Sequence, residues 1–528
     1  MIVTEILARN ARMYPEETAL IERNPQQGTR LVLSWREFDG LADRIAAILI
    51  KRGVGKGDRV VQLMMNGIYW LPVYFGILRA GAVVVPLNYR FDAITIRKCV
   101  QTAQAKVMIF GPEFVERILS EKGNLDTWVR HYLFAEEKAE CSEFAEDLLP
   151  MAAALSEDAL EPQRRPLLLT DPAGLYFTSG TTGDPKGVLL THRNLESACY
   201  IENAHHRQQH EDNFLLIPPL YHTGAKMHWF GNFIVGAKAV ILKGADPQSI
   251  LEAVSEEQAT IVWLLVPWAL DILFAIESGE IKLNRYRLAQ WRLMHIGAQP
   301  VPPSLIREWR KHFPAQQYDT NYGLTESTGP GCVHLGIENT HKIGAIGKAG
   351  FDWEARIVTM EGNPVCRGEA GELVIRGPGV MQEYYRNPDA TREVLIDGWL
   401  HTGDIAREDP DGFIWLVDRK KDVIITGGEN IYPVEIEDYL QSHVKIQDVA
   451  VIGIPSLRLG EIPVAIVQLK PGMEASKEEI LGFCEGLPRY KRPRKIFFDT
   501  VPRNPTGKIE KPRLRKHYGG IPESFQIG

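Results

Sequence analysis

Residues 176–187 read Tyr176-Phe177-Thr178-Ser179-Gly180-Thr181-Thr182-Gly183-Asp184-Pro185-Lys186-Gly187. Glycine lets a backbone turn and approach a ligand closely. Backbone N–H groups, hydroxyls and a lysine together make a phosphate cradle, so the stretch points to a nucleotide. It does not fit the common P-loop, whose lysine is followed by Ser or Thr and which opens into a helix. Here Lys186 is followed by Gly187 and Val188. Pro185 lacks a backbone donor and Gly187 is a poor helix former. Gly187-Val188-Leu189-Leu190-Thr191 reads as a strand, which places the loop between two strands. An ordinary glycine-rich turn is the competing reading, but turns rarely need so many hydroxyls plus a lysine.

The surrounding chain has an α/β rhythm. Leu41 to Arg52 is amphipathic and stops at Gly53. Val60–Met64 reads as a buried strand, Trp70–Arg79 as a helix and Ala82–Pro86 as another strand, the pattern of a mostly parallel sheet. The apolar run Ala259–Ile276 is interrupted by Pro267 and Asp271. It reads as a strand over Thr260–Val266 and a helix from Pro267, not as a membrane span, which needs about 20 nearly uninterrupted apolar residues.

At 528 residues the chain should hold more than one domain. Its net charge of −7 argues against a dedicated nucleic-acid binder. The six cysteines lack metal-ligand spacing and read as free thiols in a reducing cytoplasm. The N-terminus carries an early acid, Glu5, and no signal-peptide pattern.

The character changes near residue 420, at the charged run Asp418-Arg419-Lys420-Lys421-Asp422. A compact piece follows, with a helix expected over Val434–Ser442 and Pro433 in its first turn. From Arg489 to Lys516 there are eleven Lys or Arg against two acids. Such a run reads as a solvated basic face or as a surface facing a polyphosphate.

Further motifs follow the glycine-rich loop. They are Asn321-Tyr322-Gly323-Leu324-Thr325-Glu326, Trp399-Leu400-His401-Thr402-Gly403-Asp404, Asp418-Arg419, Gly427-Gly428-Glu429-Asn430 and Pro505-Thr506-Gly507-Lys508-Ile509. In this order and spacing the set resembles the adenylate-forming superfamily of acyl-CoA synthetases, adenylation domains and beetle luciferases, over essentially the whole chain. The resemblance implies a large N-terminal α/β domain of several subdomains, residues 1–420, and a small mobile C-terminal α+β domain, residues 421–528. It implies activation of a carboxylate by ATP, with release of pyrophosphate and acyl transfer to coenzyme A. The partners are then small molecules, with no nucleic acid and no transmembrane segment, and a homodimer is left open.

The resemblance also implies roles. Thr178, Ser179, Gly180, Thr181, Thr182, Gly183 and Lys186 would hold the β- and γ-phosphates. Thr325 would donate to the α-phosphate, and Glu326 would hold Mg²⁺, since one carboxylate plus phosphate oxygens suits that ion. Gly297, Ala298 and Gln299 match the loop beside the adenine. Asn321, Tyr322 and Gly323 complete that side, with Tyr322 either stacked on the ring or part of the core. Asp404 would accept from both ribose hydroxyls, joined by Arg419. Lys508 would bridge the carboxylate and the α-phosphate. Lys421 corresponds to the hinge about which the small domain turns, presenting Gly427, Gly428 and Glu429 to the pantetheine arm. One departure is Ser456, which stands where the family often carries an acid ahead of Gly460-Glu461.

For the acyl pocket, Pro219-Leu220-Tyr221-His222-Thr223-Gly224 matches the family's aromatic gate. Tyr221 and His222 are expected near the substrate carboxylate, with Met227, Trp229 and Val266 as candidate walls. Trp263 and Trp268 read more readily as core. No Asp or Glu occurs from Phe214 to Ala245. A substrate ammonium would lack a partner there, at high cost. The expected substrate is therefore an uncharged-tail acid that is short, alicyclic or aryl. A medium- or long-chain fatty acid, or loading of a carrier-protein thiol, are the alternatives. A silent nucleotide sensor is disfavoured by the retained Lys508, Glu326, Asp404 and Lys186, and nothing favours a luciferase-like oxygenase.

Overall fold

The computed structural model describes residues 1–136, 140–156, 166–178, 185–297, 301–334, 339–359, 361–426, 429–456, 458–503 and 509–519. Contacts divide the chain into two compact units, Met1–Ala355 with Ile375–Leu400, and Arg356–Val374 with His401–Gly528. The turn carrying Lys421, where the sequence places the domain division, lies inside the second unit.

The first unit holds two large sheets. One orders its strands as Gln317–Asp319, Leu293–Gly297, Ile261–Leu265, Asn213–Leu216, Lys238–Leu242, Thr18–Asn24 and Thr29–Ser34. Every pairing is parallel except the closing hairpin. Strands such as Ile261–Leu265 are continuous apolar runs because helices cover the sheet. The helices Pro247–Glu257, Val266–Glu277 and Pro303–His312 contribute Leu251, Val254, Ile272, Ile306 and Trp309 to one core with Val262, Leu264 and Ile296. Pro267 opens its helix, where a missing N–H costs nothing.

The other sheet orders Glu383–Tyr384, Lys186–Thr191, Pro172–Thr178, Val83–Pro86, Arg59–Leu63, Val107–Phe110, His131–Phe134 and Glu146–Asp147. Its core gathers Val61, Val85, Met108, Phe110 and Phe134. Pro172–Thr178 and Lys186–Thr191 pair antiparallel, with Thr178 opposite Lys186. The glycine-rich loop therefore joins two strands, as its composition requires. The helix Trp35–Lys51 begins earlier than its amphipathic stretch because Ser34 and Glu37 form a capping box. The helix Trp70–Arg79 has the predicted bounds.

Glu354–Val358, Gly371–Arg376, Trp399–Glu408 and Ile414–Arg419 line up in one sheet. Another orders Glu429–Ile431, Ile424–Thr426, Gly460–Leu469 and Ile446–Ser456, with Lys495–Phe498 parallel to Gly460–Leu469. Alternate residues of the long hairpin feed two cores. Val449 and Val451 meet Ile436, Leu440 and Ile480, while Ile452 and Val464 meet Leu514 and Tyr518. The helix Pro433–Gln441 starts on proline as expected. Among the described residues no helix is long and apolar enough to cross a membrane.

Candidate active site

Four neighbouring parallel strands of the first unit end at expected site residues. Asn213–Leu216 leads to Tyr221 and His222, Ile261–Leu265 to Val266, and Leu293–Gly297 ends on Gly297. Gln317–Asp319 leads to Asn321, Tyr322 and Gly323. In a parallel sheet the carboxyl ends share one edge, and that edge is where open α/β sheets bind ligands. Segments more than a hundred residues apart are thereby gathered along one line.

The gate segment is pinned from two sides. Asn66 accepts from the Leu220 N–H at 2.8 Å and donates to the Pro218 carbonyl at 3.0 Å. Lys226 Nζ donates to the carbonyls of Leu220 and His222, at 3.3 and 3.2 Å. Lys226 is wholly buried, with its amine 4.4 Å from the Tyr176 ring centre, and burial drives it well below the usual lysine range. Tyr221 meets Tyr89 edge-on at 5.3 Å and His222 at 4.4 Å. His222 occupies the N-cap position of the helix Thr223–Ile234 without a side-chain capping bond.

That helix presents its faces unequally. Gly224 and His228, one turn apart, both face Trp263. A Cβ on Gly224 would come within 3.2 Å of the Trp263 ring, and His228 meets the same indole at 4.5 Å. Trp229 turns to an aromatic core, 5.0 Å from Phe233, which in turn meets Trp35 and Phe75. Met227 is fully buried, and Val266 belongs to the apolar core beneath the sheet.

A polar corner forms where the hairpin base meets the turn Thr325–Ser327. The short strand Glu383–Tyr384 pairs with Val188 and Leu189, which brings Tyr384 between Lys186 and Glu326. Tyr384 donates to Glu326 Oε1 at 2.7 Å, and Lys186 Nζ lies 5.2 Å from the Tyr384 ring centre. Burial, and then the Glu326 charge, push the Tyr384 phenol far up. Glu326 Oε2 has no hydrogen-bond donor among the described residues, which leaves a carboxylate oxygen for a hard cation. Thr328, two residues on, has φ of +63°, unfavourable for a β-branched residue. Its Oγ1 donates to the Gly379 carbonyl at 2.6 Å, which holds it there.

In the second unit, Asp404 and Arg419 are direct cross-strand neighbours. Arg419 Nε lies 2.7 Å from Asp404 Oδ1, and the aspartate is buried. Lys421 follows in the turn and is exposed, with its amine lowered chiefly by desolvation. Glu429 pairs with Thr426 through the backbone. Arg503 and Ile509 bridge across the Lys508 segment. At Ser456 the hydroxyl accepts from the Leu459 N–H at 3.3 Å and Ser456 faces Gly460, so the hairpin forms without the acid. Ser179, Gly180, Thr181, Thr182, Gly183, Ala298, Gln299, Gly427, Gly428 and Lys508 lie outside the described residues.

Sequence reasoning passed over Tyr384 and His228. Tyr384 carried a signal, an aromatic pair Tyr384-Tyr385 outside any apolar alternation. His228 carried one too, its helical spacing from Gly224 in the gate.

The family model described as AMP-binding enzyme matches residues 7–385, and that of the AMP-binding enzyme C-terminal domain matches residues 435–508. A feruloyl-CoA synthase of an Amycolatopsis species is 33% identical, covering 97% of this chain and 98% of its own. A long-chain-fatty-acid–CoA ligase of Mycobacterium tuberculosis is 32% identical, again over 97% and 98%. The crystal structure of an anthranilate CoA ligase with anthranoyl-AMP superposes with a TM-score of 0.82 at 25% identity, covering 98% and 97%. The chain belongs to the AMP-binding enzyme family and is an AMP-forming acid–CoA ligase.

Proposed function

We propose that this ligase activates an apolar acid of short, alicyclic or, above all, aryl type. The observation that carries the reading is the compact aromatic surround of the gate. Tyr89 meets Tyr221 edge-on, and Trp263 is packed against Gly224 and His228. Flat rings favour flat partners, through stacked and edge-on contacts. Glu202, which approaches the gate helix, is matched by His228 at 2.8 Å and is not left for a substrate ammonium. The feruloyl and anthranilate enzymes among its relatives support an aryl acid. The Mycobacterium tuberculosis enzyme supports the fatty-acid alternative.

A carboxylate is a poor electrophile because oxide is a bad leaving group. Transfer to AMP supplies a better one. The obstacle is bringing an anion to a polyanion, which preorganised donors and cations overcome. Thr178, Lys186 and the loop between them would clamp the β- and γ-phosphates. Thr325 would donate to the α-phosphate, and Glu326, oriented by Tyr384, would hold Mg²⁺. Asp404 and Arg419 would take the ribose. Lys508 would neutralise charge between the carboxylate and the α-phosphate. Residues 421–528 would then turn about Lys421 for thioester formation.

The test is pyrophosphate release across aryl, alicyclic and aliphatic acids, with free CoA and carrier protein compared as acceptors. Aryl acids are expected to lead, with CoA as acceptor. A preference for long aliphatic chains would overturn the substrate reading. Lys508→Ala is expected to block adenylate formation while largely sparing thioester formation from supplied acyl-adenylate. Equal loss in both half-reactions would remove the division of labour.

A further inference from the structure

Beside these elements lies a buried knot of imidazoles and carboxylates to which the roles above assign nothing. His205 and His206 close the helix His192–His206. His295 and Asp319 are register partners on adjacent parallel strands. All four are buried. His206 Nε2, His295 Nδ1 and Asp319 Oδ2 form a triangle with edges of 3.1, 3.0 and 3.8 Å. Ligands at about 2.0–2.1 Å from a tetrahedral metal stand about 3.3 Å apart. His205 Nε2 is 2.7 Å from the same Asp319 oxygen.

His206 Nε2 and His295 Nδ1 lie within hydrogen-bond distance of each other, but the carboxylate and His205 beside them are not paired as hydrogen bonds should pair them. Neither Asp319 oxygen and neither His205 nitrogen has an aligned partner. A buried carboxylate with no aligned donor is costly, and lone pairs converging on one point are what a cation relieves. The outer shell fits as well. Glu202 Oε2 is 3.6 Å from His206 Nδ1 and its other oxygen is 2.8 Å from His228 Nδ1. At 3.6 Å Glu202 is not hydrogen-bonded to His206, but a short approach would let it fix the tautomer that turns Nε2 to the metal.

We propose that His206, His295 and Asp319 form a transition-metal site, and that the ion is Zn²⁺. Two imidazoles and one carboxylate select a borderline metal over the oxygen-seeking Mg²⁺ and Ca²⁺. The site is structural. It ties the helix that follows the phosphate-loop hairpin to the two strands that end in Gly297 and lead to Asn321, whose amide nitrogen lies 3.4 Å from Glu202. It is separate from the Glu326 position and needs no ATP.

The test uses untagged full-length enzyme, stripped with chelator and dialysed against Zn²⁺ and then against metal-free buffer. About one Zn²⁺ per chain is expected to remain, with a raised unfolding temperature. Co²⁺ loading is expected to give the intense visible bands of a tetrahedral site. His295→Gln and Asp319→Asn should each abolish retention, while the exposed His517→Gln retains it. Wild-type protein that keeps no metal, or equal retention in His295→Gln and Asp319→Asn, overturns the proposal. Where a variant does not fold, the wild-type Co²⁺ spectrum decides, and weak octahedral-type bands overturn it.

Discussion

Tyr384 couples two charges of opposite sign, accepting the Lys186 ammonium over its ring and donating its hydroxyl to Glu326. A hydroxyl that orients a metal-holding carboxylate is worth about tenfold in metal affinity or more. Tyr384→Phe is therefore expected to raise the Mg²⁺ concentration for half-maximal pyrophosphate release about tenfold, with the fold intact. An unchanged Mg²⁺ titration would separate Tyr384 from the cation. His192 supplies a pH signal of a different kind. It is buried, and burial lowers its pKa from 6.5 to about 4. Its folded form resists protonation while the unfolded chain accepts a proton. The associated stability is complete above pH 6.5 and is lost as pH falls towards about 4, a loss of about 3 kcal/mol. Urea unfolding at neutral and acid pH should show a smaller acid loss in His192→Gln than in wild type, and equal losses would reject the assignment. His192 was not singled out by sequence reasoning, because a histidine opening a helix has no pattern that announces its burial.

Elements carry the site through their ends. The hairpin Asn321–Gly323 with Pro330–Val333 delivers Tyr322 and is closed tightly at Gly323. A Cβ there would lie 2.4 Å from the Gly329 carbonyl oxygen, a backbone clash no rotamer relieves. Gly323→Ala should displace Asn321 and Tyr322 and raise the KM for ATP more than that for the acid, on the order of tenfold, since small misplacements carry large rate costs. Equal changes in both KM values would count against a nucleotide role for this hairpin. Most elements were legible in advance because their signals are local. Trp70–Arg79 and the proline-started helices at Pro267 and Pro433 follow from apolar period and backbone chemistry. The strand Glu383–Tyr384 was not legible, for two residues carry no period and the strand exists only by pairing with Val188 and Leu189.

On the scale of the whole molecule, the candidate site residues are divided between the two units. Lys421 lies two residues beyond Arg419 of the Asp404–Arg419 cross-strand pair. Proline locks φ and removes an N–H. Lys421→Pro should therefore slow thioester formation about tenfold or more while adenylation changes less. Unimpaired thioester formation in that variant would exclude a hinge there. The order of motifs from Thr178 to Lys508 is a property of the chain itself, and so are the phosphate-binding composition of residues 176–187 and the absence of acid from Phe214 to Ala245. These depend on residue type and spacing, so sequence alone determined an adenylate-forming enzyme. Tertiary structure decided which side chains meet. It turned Trp229 into an aromatic core and His228 towards Trp263, set Tyr384 between Lys186 and Glu326, and collected His205, His206, His295 and Asp319 from three elements into one buried knot. The physical reason is that a parallel sheet aligns strand ends far apart in sequence, and helix rotation selects which face looks inward, neither of which has a local signature.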